Sequence, residues 1–216
     1  MSIKYLILDL DNTLYPKSSG MLQHIDDRID QYLAATTAIQ VEDIGRIRQE
    51  YWCKYGTTIG GMVARHGTDP ADYFGYAYGI EVRDFIGPDP ELARMLRRLD
   101  LQKVVFSNSP AEYVGQVLEV LEIRDQIEAV YDIGFCQYLG KPNPSSYRKV
   151  LADLGAAPEE CLFVDDTAVN VAAAGREGLA AVWLGPAPMD GVEWRIERIH
   201  DLEELLPLVL RTKRTA

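Results

Sequence analysis

Short β-branched or apolar runs alternate along this chain with longer stretches whose apolar side chains return every three or four positions. The runs are Ile3 to Leu8, Lys103 to Phe106, Cys161 to Val164 and Ala180 to Leu184, with a weaker fifth at Glu128 to Tyr131. Strands separated in this way by helical patterns predict an α/β fold, a doubly wound parallel sheet with helices on both faces. The spacing is uneven. After the first run, residues 17 to 86 hold no convincing strand but several amphipathic stretches, such as Met21 to Thr36 and Val41 to Tyr55. That length exceeds a simple crossover, so it reads as an inserted α-helical cap that returns near Phe85-Ile86-Gly87-Pro88. The expected division is a core domain of residues 1–16 and 87–216 and a cap domain of residues 17–86.

Helix boundaries support this frame. Ser109-Pro110-Ala111-Glu112 has the form of a capping box with proline at the first helical position, followed by Val114, Val117, Leu118 and Leu121 on one face. Asn143-Pro144 opens a further helix that Gly155 can close, and Gly178 can end the one that starts after Asp166. Residues Arg211 to Ala216 read as a frayed tail.

Composition narrows the function classes. The 216 residues are 47% hydrophobic and 25% charged, the profile of a soluble globular protein. A net charge of −11 argues against a nucleic-acid polymer or an anionic membrane as partner. Any phosphate site must then be made positive locally, by metal, lysine or backbone amides. Cys53, Cys136 and Cys161 are odd in number and lack paired ligand spacing, so they read as reduced thiols. With no signal-type segment after Met1 and no membrane-length apolar run, a cytoplasmic protein is expected, a monomer or homodimer.

The chemistry gathers at the ends of the apolar runs. Leu8-Asp9-Leu10-Asp11-Asn12-Thr13 brings two carboxylates, one residue apart, out of a buried strand. Strand alternation sets them on one side, where their repulsion calls for a proton or a cation. Mg²⁺ takes carboxylate oxygens while leaving positions for water and phosphate, which points to metal-assisted phosphoryl chemistry. Ser107-Asn108-Ser109 follows the second run and Asp165-Asp166 the fourth, with Lys141 just before a helix start. Ligands of open α/β sheets bind at such strand ends. Taken singly, Asp165-Asp166 could be a helix cap, Ser107 and Asn108 turn residues, and Lys141 a solvated lysine.

Together these residues are similar to the haloacid dehalogenase superfamily of phosphohydrolases, whose four motifs stand here in order: Asp9 to Thr13, Ser107, Lys141, and Asp165-Asp166 with Asn170. The resemblance implies a Rossmann-like core and hydrolysis of a small-molecule phosphomonoester through an aspartyl-phosphate. Asp9 would be the nucleophile and Asp11 the general acid and base, the latter favouring phosphoesters over haloacids. Mg²⁺ would be held by Asp9, by the backbone carbonyl of Asp11 and by Asp166, with Asp165 and Asn170 around it. Ser107, Asn108 and Lys141 would hold phosphate, Lys141 also balancing charge. Within the cap, Tyr51-Trp52-Cys53-Lys54-Tyr55-Gly56 and Ile59-Gly60-Gly61-Met62-Val63 resemble the pyrimidine 5′-nucleotidase branch. That implies a pyrimidine nucleoside 5′-monophosphate as substrate, with Tyr15, Tyr55, Arg65 and His66 near its base or sugar. A sugar-phosphate phosphatase, a phosphomutase and a catalytically silent binding or regulatory protein are the alternatives. The remaining cap aromatics read as packing, and His24 and His200 as surface residues without partners.

Overall fold

A computed structural model describes residues 3–215, with side chains through Arg211. The regular elements are, in chain order, β1 (Tyr5–Leu8), α1 (Met21–Thr36), α2 (Ile44–Tyr55), α3 (Thr58–His66), α4 (Pro70–Ala77), α5 (Pro90–Arg98), β2 (Gln102–Phe106), α6 (Ala111–Val120), β3 (Ala129–Tyr131), α7 (Pro144–Leu154), β4 (Cys161–Asp165), α8 (Ala168–Arg176), β5 (Ala180–Leu184), β6 (Trp194–Ile196) and α9 (Leu202–Thr215). Strand order is β3-β2-β1-β4-β5-β6, and every neighbouring pair is parallel. This is the Rossmann-like sheet expected from the strand pattern.

Alternate strand residues face opposite helical layers, which is why both sets are apolar. Leu6, Leu8, Val105, Leu162, Val164 and Val182 belong to one buried cluster. Ile7, Val104, Phe106, Cys161 and Phe163 belong to the other. Chain order reverses direction between β1 and β4, the switch point at which such sheets bind ligands. Leu8 stands in register with Val105 of β2 and Val164 of β4, so Asp9 emerges just beyond the two central strands.

Helices α1 to α4 form a cap-like layer between β1 and α5. Met21, Ile25, Ile29 and Leu33 make the buried stripe of α1, at the three-to-four spacing that the sequence shows. α3 approaches α2 so closely that a Cβ on Gly61 would lie 2.1 Å from Tyr51 Cγ. Gly61→Ala is therefore expected to lower unfolding free energy by about 1–3 kcal/mol through overpacking, measured by urea denaturation. An unchanged midpoint would show that α2 and α3 separate freely.

Four expectations change in detail. β6 gave no signal because three residues are too few for a pattern; its place is set by pairing Trp194, Arg195 and Ile196 with Val182, Trp183 and Leu184. The box at Ser109 does not form: Pro110 is the N-cap of α6, and the Asp132 carboxylate accepts from the Ala111 N–H instead. The Ser109 hydroxyl donates instead to a carboxyl group described below. Arg211 to Thr215 continue α9 rather than fraying, whereas Ala216 lies outside the described residues. His200 has partners: its Nε2 lies 3.0 Å from Asp89 Oδ2 and its Nδ1 3.2 Å from an Arg198 nitrogen. The N-cap Asn143 and the C-cap Gly155, with φ of +60° at the glycine, bound α7 as read from the sequence. All three cysteines are free thiols. Among the described residues, no helix is long and apolar enough to cross a membrane.

Candidate active site

Four loops at the carboxyl ends of β1, β2 and β4 and before α7 converge on one floor. At its centre lies Lys141, 1% exposed, whose ammonium donates to Asp9 Oδ1 and to Asp165 Oδ2, both at 2.7 Å. Phe106 and Phe163 present their rings to the same ammonium, at 5.1 and 5.4 Å. Burial works against the charge, but the carboxylates of Asp165 and Asp9 outweigh it and hold the Lys141 pKa above the ordinary lysine range. The loop that carries it is clamped by Asn108, which accepts from the Lys141 N–H at 2.7 Å and donates to its carbonyl at 2.8 Å. A Cβ on Gly140 would lie 2.2 Å from Asn108 Oδ1, so this close approach requires glycine.

Asp9 is nearly buried and accepts at its other oxygen from Thr13 Oγ1 at 2.8 Å. Asn12, next to the second acid, takes a φ of +58°, a left-handed conformation that asparagine tolerates better than most residues. Asp165 is fully committed: besides Lys141, it accepts from the Thr167 N–H at 2.7 Å and from Asn170 Nδ2 at 3.1 and 3.2 Å. Burial raises its pKa, with Lys141 pulling back. Asp166 accepts from Thr167 Oγ1 at 3.3 Å, and the Asn12 side chain also hydrogen-bonds it. Burial first, and then the Asp9 charge, push the Asp166 pKa up to about 6.

Asp11 is held by hydroxyl groups. Tyr15 and Tyr113 donate to its Oδ1 at 2.6 and 3.0 Å, and Ser109 donates to its Oδ2 at 2.6 Å. The two tyrosine hydroxyls also lie 3.0 Å apart, and Ser107 Oγ lies 3.4 Å from Asp11 Oδ2. Burial and the Asp9 charge raise the Asp11 pKa, and the hydroxyl donors oppose them. Burial likewise keeps Tyr15 and Tyr113 protonated, well above the usual phenol range.

Carboxylate oxygens of Asp9, Asp165 and Asp166 all lie within 4.8 Å of one another. Since Asp165 already has Lys141, Thr167 and Asn170, Asp9 and Asp166 are the pair with capacity for a hard cation. Asn170 Oδ1 is buried and has no hydrogen-bond partner, leaving an acceptor over for a water on such an ion.

Above this floor lies a cavity of about 250 Å³ shared by core and cap-like layer. Asp9, Asp11, Asn108, Lys141, Asp166 and Asn170 line it from below. Asp26, Arg48, Trp52, Thr58, Phe74 and Tyr78 line it from above. Ser107 is 1% exposed beneath the lining, accepting from the Ser109 N–H at 3.0 Å. Of the four residues expected near a base or sugar, Tyr15, Tyr55, Arg65 and His66, none lines this cavity. Tyr15 holds Asp11 from behind, Tyr55 packs beside Tyr51, and His66 Nε2 lies 2.7 Å from the Tyr51 hydroxyl. Thr57, Thr58 and Ile59 open α3 at the cavity, whereas Arg65 sits seven residues further, about 10 Å along the axis at 1.5 Å per residue, and is exposed. The sequence signal that does mark Asp26 is its place next to Ile25 and one turn before Ile29 on α1, a charge beside an apolar stripe.

Residues 3–178 match the model of the haloacid dehalogenase-like hydrolases, a span that includes every loop of this floor. This chain belongs to that family. As a haloacid dehalogenase-like hydrolase it is similar to phosphate metabolism protein 8 of Saccharomyces cerevisiae, at 23% identity over 83% of this chain and 60% of the yeast protein. It is also similar to phosphoglycolate phosphatase of Pseudomonas putida, at 29% identity over 53% of this chain and 43% of that enzyme. The chain thus spans 60% or less of the length of these relatives. The L-2-haloacid dehalogenase of Xanthobacter autotrophicus shares the fold of this haloacid dehalogenase-like hydrolase, with a TM-score of 0.62, 18% identity, and 95% and 98% of the two chains covered.

Proposed function

We propose that this hydrolase cleaves phosphomonoesters with magnesium, through a phosphorylated Asp9, and that its substrate is a pyrimidine nucleoside 5′-monophosphate. The observation that carries the reading is the convergence of Asp9, Asp165 and Asp166 around the buried Lys141, with Asp11 beside them. Asp9, Asp166 and the Asp11 carbonyl would hold magnesium, with Asp165 and Asn170 supporting them. Bound there, the ion supplies the positive charge that lets a phosphate dianion approach a carboxylate.

An oxygen of Asp9 attacks phosphorus while the bond to the ester oxygen breaks, and Asp11 gives its proton to that oxygen. Asp11 then takes a proton from water as the water oxygen attacks the phosphoryl group, which frees phosphate and restores Asp9. Lys141 fixes the direction of the Asp9 carboxylate through its 2.7 Å bond and offsets charge throughout. Ser107 would receive a phosphate oxygen once its hydroxyl, now 3.4 Å from Asp11 Oδ2, turns toward the cavity. Asn108 contributes by holding the Lys141 loop. Trp52, Phe74 and Tyr78 line the cavity, and aromatic side chains suit a nucleobase.

In a substrate panel with released phosphate as readout, UMP or CMP should exceed sugar phosphates in kcat/KM by about tenfold or more. Chelating the divalent ion should remove the activity, and Mg²⁺ should restore it. A flat or reversed ranking refutes the nucleotide assignment, and full activity in chelator refutes the metal.

A further inference from the structure

The upper wall of the cavity carries a fixed charge pattern that bears on the leaving group. Arg48 of α2 is four-fifths buried and committed to α1. Its Nη1 donates to Asp30 Oδ1 at 2.7 Å and to the Asp26 carbonyl at 3.3 Å, and its Nη2 donates to Asp26 Oδ1. Its Nε reaches Thr58 Oγ1 at 3.5 Å. Two carboxylates against one guanidinium leave this wall with one net negative charge. Lys141, the other cation that lines the cavity, is already matched by Asp9 and Asp165. No lining cation among the described residues is therefore left for an anionic group on the leaving alcohol. Asp26 Oδ2, by contrast, accepts no hydrogen bond from the described residues, and Asp26 lines the cavity beside Trp52 and Phe74.

We propose that the Asp26–Arg48–Asp30 cluster is a charge filter: it admits phosphomonoesters whose leaving group is uncharged and offers hydroxyl or amino donors, and rejects those bearing a carboxylate or second phosphate. The inference rests on the phosphomonoesterase reading and deepens it. A donor on the leaving group meets an acceptor in Asp26, and an aromatic face meets Trp52 and Phe74. A carboxylate meets a carboxylate in a partly desolvated cavity, where repulsion is screened less than in bulk water. Arg48 cannot turn to receive it, since four of its five N–H groups are held by Asp26, Asp30 and Thr58. Selection here works by repulsion rather than by a tailored contact.

The test compares two near-isosteric small esters, 2-hydroxyethyl phosphate and 2-phosphoglycolate, with p-nitrophenyl phosphate as a general phosphatase substrate, all with Mg²⁺. The wild-type protein is expected to favour 2-hydroxyethyl phosphate in kcat/KM by about tenfold or more. Asp26→Asn keeps an acceptor for Arg48 but removes the charge, and should narrow that preference about tenfold by raising turnover of 2-phosphoglycolate. Asp30→Asn, a position outside the cavity lining, should narrow it in the same direction and covers the case in which the first variant fails to fold. Wild-type protein that hydrolyses 2-phosphoglycolate as well as its neutral counterpart, or variants whose ratio stays unchanged, overturns the filter. Turnover of p-nitrophenyl phosphate in that same experiment keeps the phosphatase reading standing. Absence of turnover with every ester overturns both.

Discussion

Asp9→Asn is expected to lower kcat on any accepted phosphomonoester by at least about a thousandfold, because the amide is a poor nucleophile and cannot carry the phosphoryl group. The change is nearly isosteric. Thr13 can still donate to the retained carbonyl oxygen or shift by a rotamer, and Lys141 keeps Asp165 as its partner at 2.7 Å. Unfolding free energy should therefore change by no more than about 1–2 kcal/mol, the scale of one altered hydrogen bond. Single-turnover kinetics and urea denaturation on the same preparation separate the two effects. Wild-type turnover in this variant would remove Asp9 from the nucleophile's role. Collapse of the fold would instead make it a structural residue.

Lys141→Met should damage both stability and rate. The ammonium is 1% exposed and is the common partner of Asp9 and Asp165, so its loss leaves two buried carboxylates facing each other and Asp166. Removing one side of a buried ion pair costs about 3–5 kcal/mol. Methionine fills similar space between Phe106 and Phe163, which keeps the packing term small. Denaturation in chelator is expected to show the full penalty, and added Mg²⁺ should recover part of it by supplying charge to the same carboxylates. Turnover should fall at least about a hundredfold, since Asp9 loses both its orienting bond and its charge balance. A variant as stable as wild type in chelator would mean that the acids are protonated whenever lysine is gone.

Neighbouring hydrogen-bond donors give each acid at this floor a different setting. Asp165 and Asp166 are adjacent in sequence yet differ in what surrounds them. Asp165 is wrapped by Lys141, Thr167 and Asn170, whereas Asp166 keeps oxygen capacity facing the cavity. Asp11 is turned toward Tyr15, Tyr113 and Ser109, so the metal-capable cluster consists of Asp9, Asp165 and Asp166 carboxylates without it. That arrangement accords with a role for Asp11 through its backbone carbonyl at the ion and through its side chain in proton transfer.

Much of this was legible from the chain alone. The four stronger strands and the weaker fifth, the long helical stretch after β1, the start of α7 at Asn143-Pro144 and its end at Gly155 all follow from local periodicity and turn chemistry, which need only a few neighbouring residues. The floor residues Asp9 and Asp165 were legible too, because strand ends in a parallel sheet bring their next residues to one edge whatever the rest of the chain does, whereas Lys141, in the loop before α7, stood out only through the order of the family's motifs. Tertiary structure alone decided what these residues touch. The Tyr113 bond to Asp11 spans 102 residues and the Lys141 bond to Asp9 spans 132, distances over which no local pattern carries information. It also redirected Ser109 from a helix cap to Asp11, gave His200 its Asp89 partner, and turned Asp26, Arg48, Trp52 and Phe74 to the cavity in place of Tyr55, Arg65 and His66. The physical reason is the same in each case: periodicity tells which face of an element is buried, but which polar group meets which depends on how the faces are packed together.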